Sequence, residues 1–88
     1  MLHKKKSKMS RNNIILVANV KLNNVVYFYV FVLDCADEDY NTFCANKIKE
    51  KNHKRTRSRT TALLLAHDKQ KEIDTEYGVH EIQVKTPL

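Results

Sequence analysis

Residues 14–33 read IILVANVKLNNVVYFYVFVL, and the fold turns on how they are read. Two apolar runs, 14–22 and 25–33, are rich in Val, Ile, Tyr and Phe, which favour strands. Between them stands Asn23-Asn24. A two-residue primed turn needs positive φ at both central positions, and Asn tolerates it. The stretch therefore predicts a β-hairpin pairing Leu22 with Val25, Val20 with Tyr27, Ala18 with Tyr29 and Leu16 with Phe31. One face then collects Ile14, Leu16, Ala18, Val20, Leu22, Val25, Tyr27, Tyr29, Phe31 and Leu33 and carries no charge, which assigns it to the core. The other collects Ile15, Val17, Asn19, Lys21, Val26, Phe28, Val30 and Val32 and is also mostly apolar. A transmembrane helix over the same residues would place Lys21 and three Asn near the bilayer centre. The Lys alone costs about 2.5–3.5 kcal/mol there. Asn19, Lys21, Asn23 and Asn24 equally interrupt any signal-peptide core, and no small-residue cleavage site follows.

Beyond Asp34 the period changes to that of a helix. Tyr40, Phe43, Cys44, Lys47 or Ile48, and Lys51 recur at helical spacing, with Asp34 or Asp37 as cap and an acidic first turn. Lys47, Lys49 and Lys51 suit its C-terminal end, and Asn52 its stop. A second helix begins at a cap among Thr56, Ser58 and Thr60. It carries Ala62, Ala66, Ile73 and Tyr77 as its stripe, widened by Leu63 and Leu65, and stops at Gly78. Val79 to Lys85 alternates as a third strand, with His80, Ile82 and Val84 inward. The expected class is α+β in the order ββααβ: a three-stranded antiparallel sheet, order 1-2-3, with both helices on one face.

The 88 residues make one domain, expected over 12–88, preceded by a flexible basic arm over 1–11; translation could equally start at Met9. One Gly and one Pro exclude collagen-like and linker-like chains, and 42% hydrophobic residues exclude a disordered basic tail. Two cysteines, Cys35 and Cys44, form no disulfide framework and read as reduced thiols of a cytoplasmic protein. Abundant Lys and Asn suit an AT-rich coding sequence of bacterial, phage or mobile-element type. The net charge of +6 is segregated: +6 over 1–33, −4 over 34–46, +6 over 47–59 and −2 over 60–88.

The second basic block carries the chemistry. Lys47, Lys51, Lys54, Arg55, Arg57, Ser58, Arg59 and Thr60 interleave cations with hydroxyls at the entry to the second helix. Arg forks match phosphate oxygens, and free N–H groups at a helix start attract anions. The expected function is a non-enzymatic domain binding nucleic acid, RNA or DNA, or another phosphate-rich anion. Lys4, Lys5, Lys6, Lys8 and Arg11 of the arm would supply further phosphate contacts. A second reading is a regulatory module docking on an acidic protein partner, and a third is a small ribonuclease using His53 or His67. Tyr27, Tyr29 and Phe31 read as core packing rather than a base-stacking platform. No Cys or His spacing matches a zinc site and one Gly cannot build a phosphate loop, so no cofactor or metal is expected. If both helices cover one sheet face, Ile15, Val17, Phe28, Val30 and Val32 stay bare, and a homodimer through the sheet is expected to hide them.

Overall fold

A computed structural model describes residues 13–34, 39–50, 53–73, 75 and 77–85. The arm, Cys35, Asp37, Lys51 and Asn52 lie outside the described residues. The chain runs β1 (Asn13–Leu22), β2 (Val25–Asp34), α1 (Tyr40–Lys49), α2 (Arg59–Ile73) and β3 (Val79–Gln83).

The hairpin takes the expected register, including Leu22 with Val25 and Leu16 with Phe31. Asn23 and Asn24 both have positive φ, 53° and 67°, as a primed turn requires. The third strand overturns the expected sheet. The order is β2-β1-β3, and β3 pairs parallel with β1 rather than antiparallel with β2. The physical reason lies in burial. Ile15, Leu16, Val17 and Ala18 are 0–1% exposed, so β1 is covered on both faces and both edges. By contrast, β2 carries Tyr27 and Phe28, which are only half-buried and suit an edge.

The helices also depart from expectation, since each covers its own face. α1 closes the uncharged face, packing Cys44, Ala45 and Ile48 against Leu16, Ala18, Val20, Phe31 and Leu33, with Val84 and Ile82 completing the cluster. α2 closes the other, setting Ala62 and Ala66 onto Ile15 and Val17, with Phe28, Val30, Val32, Leu63, Ile73 and Val79 around them. Both alanines are fully buried, so the small side chains let the helix sit close to the sheet. The second apolar face is thus covered within the chain, and the bare patch on which the dimer expectation rested does not exist.

Local chemistry sets the helix ends. Asp39, not Asp34 or Asp37, caps α1, its Oδ2 accepting from the Thr42 N–H at 3.2 Å. Asp34 ends β2, and the first turn of α1 holds no acidic residue. Ser58 caps α2, its Oγ accepting from the Thr61 N–H at 3.2 Å. α2 stops at Ile73, short of Tyr77, and Leu65 points outward at 52% exposed. Gly78 does have positive φ, 75°, yet it leads into β3 rather than capping the helix. Its carbonyl accepts from the Ile15 N–H, opening the parallel pairing.

Candidate polyanion-binding ridge

Residues 53–58 carry the chain from the α1 face to the α2 face around the free edge of β2. Around Thr56 they form a two-bond antiparallel bridge with Phe28: the Phe28 N–H donates to the Thr56 carbonyl at 2.7 Å, and the Thr56 N–H to the Phe28 carbonyl at 3.0 Å. Side chains alternate along an extended segment. His53 and Arg55 therefore fall on the aromatic side of β2. The Arg55 guanidinium lies 3.9 Å from the centroid of the Tyr27 ring, and its Nη1 donates to the Tyr29 hydroxyl at 3.5 Å. That hydroxyl, more than any other group, raises the Arg55 pKa above its ordinary value. His53 meets Phe31 edge-on, 5.1 Å between centroids, and bonds Glu50 Oε1 at 3.0 Å.

The row Tyr27, Tyr29 and Phe31 is accordingly not a bare platform. Tyr29 and Phe31 stack at 5.6 Å in the α1 core, and Phe43 meets Phe31 edge-on. This is the packing role expected of them. Tyr27 is left half-buried as the rest for Arg55.

Besides Arg55, the described basic residues of the predicted site separate into three groups. Arg59 is engaged: its Nε and Nη2 donate to the two carboxylate oxygens of Glu81 at 2.9 and 2.8 Å, a fork-to-fork pair that raises its pKa. Lys47 lies over the Phe43 ring at 5.6 Å on α1. Lys54 and Arg57 are exposed, and neither side chain has an acidic or hydrogen-bonding partner among the described residues. Ser58 is spent on the α2 cap, and Thr60 is exposed in the first turn.

Two grooves flank this ridge. One, of about 360 Å³, lies on the α2 side, with Phe28 and Val30 at its base, Thr61 and Leu65 along the helix, and Lys54 and Arg55 at the rim. The other, of about 510 Å³, lies on the α1 side and includes Tyr29, Ile48, Lys49, Glu50, His53 and Arg55. The sequence reading missed both, because they form between β2 and two helices whose faces it did not separate.

Comparison with protein-family models, curated proteins and solved structures gave no match to this chain. The site is therefore read on its own chemistry. No group of three or more His, Cys, Asp or Glu able to hold a metal ion occurs among the described residues. Cys44 is fully buried in the α1 core, and desolvation pushes its thiol pKa to about 12. His80 bonds the Tyr77 carbonyl at 3.0 Å and meets Tyr40. No helix among the described residues is long and apolar enough to cross a membrane.

Proposed function

We propose that this chain is a small, non-enzymatic, cytoplasmic domain that binds nucleic acid or another phosphate-rich anion along residues 54–59. One observation carries the reading: the segment over the β2 edge presents Lys54 and Arg57 with no counter-charge among the described residues, beside an exposed Arg55 held over the Tyr27 ring. A guanidinium fixed against a ring loses less freedom on meeting a phosphate than a free one. Over 47–59 the sequence holds seven basic residues and one acidic, Glu50, and with Arg59 paired to Glu81 the excess along this stretch is still positive. The α2 start adds exposed Thr60 and Thr61, whose hydroxyls suit phosphate oxygens. Lys4, Lys5, Lys6, Lys8 and Arg11 of the arm would supply further phosphate contacts.

The reading is tested by binding to mixed-sequence nucleic acid across a salt series. The Lys54→Ala/Arg57→Ala double variant should bind more weakly, with the salt slope flattened by roughly 0.7–0.9 for each phosphate it no longer neutralises. Glu81→Gln should act in the opposite direction, since it releases Arg59 from its carboxylate partner. Unchanged affinity in both variants would remove the reading.

A further inference from the structure

We infer that the polyanion is a single nucleic-acid strand, one of whose bases seats in the groove between β2 and α2. This rests on the phosphate reading above and narrows it. The ridge alone would serve any polyphosphate. The groove would not, because Phe28, Val30 and Leu65 give it apolar walls, and its cations, Lys54 and residue 55, come only from the ridge segment along one side. An apolar cavity directly beneath a phosphate-binding rim offers nothing to a duplex, whose phosphates lie outside and whose bases are stacked away. It does offer a seat to an unstacked base, which single-strand binders bury against aromatic and apolar side chains.

Size and placement agree. About 360 Å³ falls at the lower end of small-ligand cavities, roughly 300–1,000 Å³. Arg55 lines both this groove and the 510 Å³ groove on the α1 side. A strand crossing the ridge thus meets a cavity on either side of residue 55, and the Arg55 guanidinium, on the α1 side over Tyr27, offers a stacking surface for a base as well as a partner for phosphate. The apolar wall is also uncommitted to folding. Leu65 is 52% exposed, while the fully buried Ala62 and Ala66 hold the same helix to the sheet. The strand satisfies both halves of the surface: anionic backbone on the rim, flat apolar base below it.

The experiment compares labelled oligouridylate and oligothymidylate with a duplex at fixed ionic strength by fluorescence anisotropy. Four proteins are used: wild type, Leu65→Asn, Leu64→Asn and Lys54→Ala/Arg57→Ala. Leu64 is 62% exposed on the same helix and does not line the groove, so its variant is a matched control. Thermal melts establish that all four are folded. The wild type should bind at least one of the single strands more tightly than the duplex. Leu65→Asn should lose roughly fivefold or more of single-strand affinity, the low end for one stacked base, and keep its duplex affinity. Leu64→Asn should change neither. Equal binding of strands and duplex, or a Leu65→Asn variant that keeps its single-strand affinity, overturns the inference. In that case a Lys54→Ala/Arg57→Ala variant that loses affinity for all forms leaves the phosphate reading standing, whereas one that loses none removes both. Polyglutamate displacing the strands, with the same dependence on Leu65, overturns the single-strand assignment in favour of an acidic polypeptide.

Discussion

Cys44 shows how one residue's burial becomes a property of the whole chain. Its thiol sits at 0% exposure among Leu16, Phe31 and Ile48, and burial lifts its pKa from 9.0 to about 12. A thiol held protonated is a poor nucleophile, so it should resist alkylation at pH 8 until the domain unfolds. The linkage has a definite sign. Because the folded pKa is the higher one, the stabilising contribution of this burial is complete below about pH 9 and is lost as pH rises toward 12. Melts from pH 8 to 11 should therefore fall less steeply in a Cys44→Ala variant than in the wild type. Equal slopes would mean the thiol is not desolvated. At the same scale, Arg59 illustrates what residue type alone does not reveal. It belongs to the densest basic block in the sequence, yet Glu81, 22 residues later, holds both sides of its fork.

At the scale of elements, the hairpin turn was the most legible feature, because it depends on neighbours within a few residues, whereas the α1 cap fell to Asp39 rather than to Asp34 or Asp37. Asn23-Asn24 sets the hairpin register through the backbone twist that positive φ imposes, and the register follows to the last pair. Ser58 was one of three candidate caps, and the choice falls to it because Arg59 is the first helical residue. Ser58→Ala should therefore destabilise the domain by about 1 kcal/mol, read by urea denaturation, while Thr60→Ala should cost much less. Equal losses would move the cap. The end of α2 was harder to read. Gly78 carries the left-handed φ that its position suggested, but the stretch after Ile73 serves a different purpose. Thr75 is buried, its hydroxyl donating to the Asn13 carbonyl, and the Tyr77 N–H donates to Thr75 Oγ1. Those bonds join the approach to β3 to the start of β1, and no helical periodicity encodes them. The ridge was likewise legible as a run of charge but not as a shape, since the Phe28–Thr56 bridge that holds it spans the chain between separate elements.

For the molecule as a whole, the direction of β3 was legible and its neighbour was not. A helix pair that goes out and returns delivers the chain to the end where β2 stopped, and that is also the end where β1 began. A strand starting there can run antiparallel to β2 or parallel to β1. The choice follows from which faces the helices take. Once the 53–58 segment wraps the β2 edge, that edge is occupied at Phe28 and α2 lies on the opposite face, leaving β1 as the edge that β3 can join. The apolar second face of the hairpin was the clue, and a helix of the same chain satisfies it. Hydrogen exchange tests this topology directly. In β1 the alternate amides serve opposite neighbours: Ile15 donates to Gly78 next to β3, and the Asn19 carbonyl accepts from Val84. Amides along β1 should therefore be protected in both alternating sets. In β2, the set that includes Phe28 points away from β1, and among the described residues only Phe28 finds a partner there, Thr56. Val30 and Val32 belong to the same outward set, so their amides should exchange orders of magnitude faster than those of Tyr29 and Phe31, with Phe28 in between. A central β2, as in the order 1-2-3, would protect Val30 and Val32 as fully as their neighbours. That outcome would displace β1 from the middle of the sheet and, with it, the edge on which the ridge is built.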